Sequence, residues 1–429
     1  MRRYRGRALV GAALAIALLA GACSSDDDAA TTDTTAAGGG ASEVTPGPGF
    51  DGTTINLGVL TPQSGLAAAI GNPLTAGNQA YFDRVNAAGG IAGKYKVELT
   101  TRDTEYQAPV AVTQYNDIKN NVAMFVQVLG TAIMDAVLPQ LKTDGIFAGP
   151  ATLDAFWVRE PNLMPIGAPY QIQAINGLDY AVTSLDAENK TLCAMVEDSP
   201  YGDAGLEGLE YAADDLGLEV TEVQTFRLGD PSYTAQVNAL SGAGCELVWL
   251  TSLPTTTIPL MTESNGVGFA PTWLANSPAW NALLAEGDLA TYMADNFLLM
   301  AEGPQWGDTS VAGMAQMLDD LAAYAPTQVP NIYFAFGYAQ AWAAAQILEK
   351  AVELGDLSPA GIIAASEQIE ALTFDGLLGD YTYGAVEDRD PPRGTTVYEV
   401  DPASAATGFL VALETDLISE AAKNYSFTD

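Results

Sequence analysis

Short apolar runs alternate with stretches of helical periodicity along most of the chain. Thr54 to Leu60 reads TINLGVL, and from about Asn72 to Ala88 the positions Leu74, Tyr81, Val85 and Ala88 recur at spacings of seven, four and three, so they share one helical face. Gly89 and Gly90 end that helix. Strands follow at Lys96 to Thr101, Val122 to Val128 and Ile146 to Ala148, with helices near Ala108 to Asn120 and Ile133 to Lys142 between them. After Leu163 to Gly167 the order begins again, with a helix from about Tyr170 and strands at Thr191 to Val196, Glu219 to Phe226, Glu246 to Thr251 and Pro271 to Ala275. Strands that alternate with helices predict βαβ units on a parallel sheet. The expectation is an α/β protein of two doubly wound, Rossmann-like halves. Long helices at about Ser310 to Tyr324 and Ile332 to Leu354 are more than the second half needs and are expected to return to the first.

The N-terminal segment breaks this pattern. Arg2, Arg3, Arg5 and Arg7 precede an apolar run from Ala8 to Ala20, shorter than the roughly 20 residues of a spanning helix. Small residues then lead to Cys23, which is the order of an export signal. Leu19 to Cys23 (LAGAC) resembles a bacterial lipobox, whose cysteine receives lipid; Ala20 stands where a larger residue is usual. An ordinary secretory signal with an incidental cysteine is the other reading. From Ser24 to about Thr53 almost nothing can be buried, which predicts a flexible tether. The expected organisation is a signal peptide over 1–22 and a lipid-anchored tether over 23–53. Lobe 1 follows from 54–166 plus 301–378, and lobe 2 from 167–300 plus 379–429.

Charge narrows the partners. The chain has 17 Lys and Arg against 53 Asp and Glu; without the four signal arginines, 13 basic residues remain, a balance near −40. Such a body is repelled by phosphate backbones, which excludes nucleic acid. The absence of histidine removes the usual general base, the Ser-His and Cys-His nucleophile pairs and the commonest metal ligand. No GxSxG elbow, Walker loop, GxGxxG after a strand or metal-ligand cluster is found. No catalytic residue, metal or cofactor is therefore expected, and the protein is not read as an enzyme. With Cys23 assigned to lipid, Cys193 and Cys245 remain on or beside the first and third strands of the second half, neighbours in the usual order of such sheets. They are either a disulfide or two buried thiols.

Ligands of open doubly wound sheets bind beyond the carboxyl ends of the strands. In the first half those loops read Thr61-Pro-Gln-Ser-Gly65, Leu129-Gly-Thr-Ala132 and Gly149-Pro-Ala-Thr152, with the hydroxyls of Ser64, Thr131 and Thr152 at equivalent places. In the second they read Glu197-Asp-Ser-Pro-Tyr201-Gly202, Ser252-Leu-Pro-Thr-Thr256 and Asn276-Ser-Pro-Ala-Trp280. Tyr201, in a Pro-Tyr-Gly turn ahead of a helix, is either a lid over a solute or a ring packed on its own helix. Trp280 and Trp306 are either cleft walls or core.

TINLGVLTPQSG, the NAAGGIAG turn, VLGTAIMDAVLP, AGPAT and VEDSPYGDAG, in this succession, resemble the branched-chain amino acid binding proteins of ABC importers. The resemblance covers roughly Thr54 to Leu354. It implies the type I periplasmic-binding fold, with two lobes joined by a three-segment hinge, here near Ile166 to Pro169, Leu298 to Gly303 and Gly376 to Tyr383. It also implies that Thr131, Ala132, Ala151 and Thr152 hold a ligand carboxylate and that Tyr201 closes over the ligand. Ser64, Tyr170, Leu253, Asn276 and Ser277 complete the expected ligand-binding set. Where family members place an acidic residue for the ammonium group, this chain has Ala275, Asn276 and Ser277. A dry pocket lacking that carboxylate disfavours a zwitterion, although Glu197 or Asp198 stands nearby. The resulting expectation is a monomeric extracytoplasmic lipoprotein, anchored to the bacterial cell membrane, that closes around a small polar organic solute and delivers it to an ABC permease. The solute is an amino acid or derivative, a carboxylate or an amide. The alternative is a sensor subunit that signals to a membrane receptor or kinase.

Overall fold

The computed structural model of the protein describes residues 44–427, so the signal, Cys23 and most of the tether lie outside the described residues. The first half runs β1 (Thr54–Thr61), α1 (Ala68–Ala87), β2 (Lys96–Asp103), α2 (Ala108–Ile118), β3 (Phe125–Leu129), α3 (Thr131–Asp144) and β4 (Ala148–Ala151). Its four strands are parallel, in the order β2-β1-β3-β4. Leu57 and Val59 face α1, whereas Leu60, Phe125 and Val128 face α2 and α3, so both sides of the sheet are buried, as parallel sheets require.

The second half runs α4 (Tyr170–Ser184), β5 (Leu192–Glu197), α5 (Pro200–Leu216), β6 (Val220–Phe226), α6 (Thr234–Ala243), β7 (Leu247–Thr251), α7 (Pro254–Val267), β8 (Thr272–Asn276), α8 (Ala290–Asn296) and β9 (Phe297–Ala301). The chain then passes through α9 (Ala312–Tyr324), α10 (Ile332–Leu354), α11 (Pro359–Ser366) and the short hairpin β10 (Ala371–Leu372) and β11 (Tyr381–Thr382). All of these pack on the first core, α10 lying along α1. The chain ends with β12 (Thr395–Val400), β13 (Leu410–Leu417) and α12 (Glu420–Asn424), which extend the second sheet to the order β13-β12-β9-β8-β7-β5-β6. The helices foreseen at 310–324 and 332–354 do return to the first half.

Cys193 on β5 and Cys245 just before β7 form a disulfide. Register explains it: β5 and β7 are parallel neighbours, and Cys193 pairs with Val248, three residues along from Cys245.

Three differences from the expectation have physical causes. Residues 44–53, assigned to the tether, lie on the first half: Thr45 exchanges backbone hydrogen bonds with Gly355 and Leu357, and Phe50 meets Tyr95 edge-on at 5.0 Å. Val44 and Phe50 are the two large apolar side chains of that stretch, enough to hold it down. The 298–303 segment is first a strand, β9, and becomes a crossing only at Glu302. The last crossing falls beyond Tyr383 instead of at 376–383, because Leu377, Leu378, Tyr381 and Tyr383 are part of the first core. Arginines tie this last crossing down. Arg389 donates to the Glu160 and Leu163 carbonyls at 2.9 and 3.1 Å, and Arg159 donates to those of Val386 and Arg389 at 2.9 and 2.6 Å. No helix among the described residues is long and apolar enough to cross a membrane.

Candidate ligand-binding cleft

The carboxyl ends of the parallel strands of both sheets face each other, β12 and β13 of the second sheet being antiparallel additions at its edge. Between them sits a cluster drawn from the two halves: Ile70, Leu74, Leu129, Ala151 and Leu153 from the first, and Tyr170, Tyr201, Ala204 and Leu253 from the second, with Tyr333 of α10. These apolar contacts close one end of the cleft with the protein's own side chains.

Tyr201 fills that closed end. Its ring meets Tyr170 edge-on at 5.0 Å, and its hydroxyl lies 2.8 Å from Asn276 Oδ1 and 3.1 Å from the Ser252 carbonyl. Burial holds the Tyr201 hydroxyl well above its usual pKa, so it stays a donor. The residue that stands where an ammonium partner was expected is therefore neutral and already engaged. Tyr106, from the loop after β2, approaches from the first half. It fits because Gly130, at φ 106°, carries no Cβ; one built there would stand 2.5 Å from the Tyr106 ring. Glu197 is buried at the end of β5, and that burial raises its pKa. Asp198 pairs instead with Arg227 on the surface at 3.2 Å.

The other end, toward the crossings, is open. A cavity of about 90 Å³, open toward solvent, is lined by Ala151, Thr152, Tyr170 and Ser277 at one side. It runs away from them between Trp306, Ala335, Phe336, Leu378 and Leu410. Trp280 settles as both wall and core: it lines the cavity and packs beside Phe297 in the second core. The small polar site expected from the loops is thus a polar rim on a mostly apolar chamber.

The polar rim is built by helix starts. Thr131 opens α3, and its hydroxyl lies 2.6 Å from that of Thr152, so one donates to the other and a single hydroxyl hydrogen remains for an acceptor. Ala132 follows in the first turn of α3, where backbone N–H groups have no helical partner. Tyr170 opens α4 and donates its N–H to the Leu153 carbonyl at 2.7 Å. Ser277 donates its N–H to Gln173 Oε1 at 3.1 Å, and Gln173 Nε2 in turn lies 3.4 Å from Glu302 Oε1.

Of the expected residues, Ala151, Thr152, Tyr170 and Ser277 line the cavity, whereas Tyr201 and Leu253 form the closed end with Asn276, Thr131 supports Thr152, and Ala132 follows Thr131 in α3 without lining the cavity. Ser64 does neither. It is exposed, with its hydroxyl donating to Asp103 Oδ2 at 2.7 Å, because the carboxylate ending β2 gathers the loop after β1. Sequence reasoning passed over Tyr333 and Glu302. Tyr333 hangs from the start of α10, where Asn331 caps its N–H at 2.8 Å, and its hydroxyl reaches the Trp280 carbonyl at 2.6 Å. The signal was present as an Asn ahead of a long apolar helix, and as a lone carboxylate directly after the apolar run FLLMA.

Two βαβ lobes, three crossings and a cleft between strand ends define a hinged solute-binding architecture. The chain belongs to the periplasmic binding protein family, whose sequence profile matches residues 54–407; members bind solutes and are not enzymes. A fatty acid ABC transporter substrate-binding protein from Thermomonospora curvata is 26% identical, with a TM-score of 0.82 over 90% of this chain and 97% of that one. A branched chain amino acid ABC transporter protein from Thermus thermophilus with bound valine shares the fold at 17% identity, with a TM-score of 0.74 over 88% of this chain and 99% of that one. A Leu/Ile/Val-binding protein homolog from Brucella melitensis biotype 1 is 24% identical over 204 residues, 46% of this chain. The match spans about half, 53%, of that curated relative.

Proposed function

We propose that this chain captures an organic carboxylate with an apolar tail and hands it to an ABC permease. The observation that carries this reading is the shape of the free volume: a polar rim at Thr152 and Ser277 opening into walls of Trp306, Phe336, Leu378 and Leu410. Each buried methylene contributes about 0.8 kcal/mol, so such a chamber rewards tail length. An α-ammonium group has no comparable welcome, because Asn276 is neutral and bonded to Tyr201. The name of the Thermomonospora curvata relative supports the same solute class. Solute bridging both halves stabilises the closed form by binding it better than the open one, and closure is the signal a permease reads.

In this reading Cys23 carries the lipid, the chain works outside the cytoplasm at the cell membrane, and one copy suffices. Replacing Cys23 with Ser should release the mature protein from the membrane fraction; retention there would remove the anchor.

A thermal-shift panel of amino acids, straight-chain carboxylates, amides and polyols tests the solute class. A ligand at about 100 times its Kd stabilises the native state by roughly 2.7 kcal/mol. Carboxylates with aliphatic tails should raise the Tm. A panel in which only amino acids or polyols do so would sink the reading.

A further inference from the structure

Glu302 lies where the second crossing leaves β9, and it lines both the cleft cavity and a second cavity between the three crossings, beside Gly376, Pro392 and Thr396. One oxygen, Oε1, faces Gln173 Nε2 at 3.4 Å; the other, Oε2, is shut off from solvent without a well-formed hydrogen bond, although the Ala168 backbone N–H on the first crossing lies beside the carboxyl and opposes part of the effect of burial. Space for the group is reserved. Gly167, on the first crossing, has φ 76°, and a Cβ there would stand 2.1 Å from Oε2. A carboxyl has thus been accommodated inside the hinge at a backbone position that other residues would block.

Neither cavity is lined by Lys or Arg among the described residues, and the chain has no His. An anionic solute entering the chamber therefore meets no cation, yet an uncompensated charge in such a place is costly. The groups facing Glu302 are Gln173 and Tyr170 from α4, Tyr398 from β12 and, across the second cavity, the exposed Asp416. Tyr170 and Tyr398 are held neutral by burial. None of these supplies a positive charge. A carboxyl that carries its own proton meets the need, since it is neutral when alone and becomes a strong donor to an anionic oxygen.

We propose that Glu302 is a specificity-determining ligand contact, whose protonated carboxyl donates to the solute's carboxylate in the closed cleft, so that capture of each anion takes up one proton. The inference rests on the carboxylate reading of the site. The balance is simple: one carboxylate and one proton from solvent enter the cleft, and no bond other than O–H forms. Burial pushes the Glu302 carboxyl up to about 8 in the closed form, whereas a solvated glutamate in an open cleft titrates near about 4.3. Between those limits the closed form holds a proton that the open form lacks. Closure is then favoured at the acid end of the window and weakens as pH rises toward 8; above that, no further loss is expected from this group.

Octanoate binding to the mature protein, measured calorimetrically in two buffers of different ionisation enthalpy, tests this. From about pH 6 to about pH 7.5 the wild type should take up close to one proton per octanoate, with Kd rising about tenfold per pH unit. Glu302→Gln keeps a donor but cannot ionise, and it should abolish both the uptake and the slope. Wild-type binding with no proton uptake, or an unchanged slope in Glu302→Gln, overturns the role of Glu302 and leaves the carboxylate reading intact. Failure of octanoate to bind at any pH overturns the carboxylate reading and this inference with it.

Discussion

At one end of the cleft the Tyr201 hydroxyl donates to Asn276 Oδ1 behind a layer of aromatic rings, with Asn276 Nδ2 buried and unpartnered, whereas at the other Thr152, Ser277 and Glu302 border free space between apolar walls. Both ends arise from the same construction, loops at the carboxyl ends of parallel strands. The difference lies in what borders free space. Polar groups enclosed by the protein's own rings stiffen the packed end, while polar groups that line a cavity can meet a solute. The resemblance to amino acid binders draws on both ends, through Tyr201 at the first and Thr131, Ala132, Ala151 and Thr152 at the second; the cavity described above lies at the second.

Four substitutions can break or sharpen that contrast. The largest effect is expected from Ala335→Phe in the first turn of α10, which fills the chamber. Solute affinity should fall at least about 100-fold, while an overpacking cost of roughly 1–3 kcal/mol appears in unliganded stability; unchanged affinity would move the solute elsewhere. Thr152→Val comes next. It removes the hydroxyl shared with Thr131 and should weaken carboxylate binding by roughly 1–3 kcal/mol, read as a Kd increase of about 5- to 150-fold. Tyr201→Phe leaves the Asn276 amide without its donor, so it should lower closed-form stability and affinity together by roughly 1 kcal/mol, without changing which solute is preferred. A change of preference would show that the closed end reads the ligand. Ser64→Ala should be the mildest. Its hydroxyl serves Asp103, so affinity should stay within about twofold while the loop loses roughly 0.5–1.5 kcal/mol.

Much of this organisation is legible in the sequence where periodicity is long or punctuation is sharp. The helix foreseen over 332–354 is α10, because its run is capped by Asn331 and ended by Gly355 in the left-handed conformation. The adjacency of Cys193 and Cys245 follows from strand order alone. Shorter signals slip: β4 lies at Ala148–Ala151 instead of 146–148, since a brief apolar run does not fix its own register. β9, five apolar residues, reads equally as a crossing, and β13 escapes notice because as an edge strand it is half exposed and carries Glu414 and Asp416.

The site divides the same way. Thr131, Ala151, Thr152, Tyr201, Leu253 and Asn276 gather at the cleft because each sits near a strand end, a place the pattern predicts, and Tyr170 joins them from the start of α4, directly after the first crossing. Tyr333 and Glu302 come from a returning helix and a crossing, whose approach to the cleft depends on how the two halves meet. Whether a polar residue faces a solute or a neighbour, as Asn276 and Ser64 face theirs, is equally a matter of tertiary contact. The apolar character of the chamber is hidden for the same reason: Trp306, Phe336, Leu378 and Leu410 are far apart in the chain and meet only between the crossings.

The most direct measurement is calorimetric affinity along the straight-chain carboxylates from butyrate to decanoate, with valine and leucine beside them. The account predicts that each added methylene tightens binding by up to about fourfold until the chamber is full, and that both amino acids bind more weakly than hexanoate. Tight binding of leucine or valine, with no dependence on chain length among the carboxylates, would contradict it.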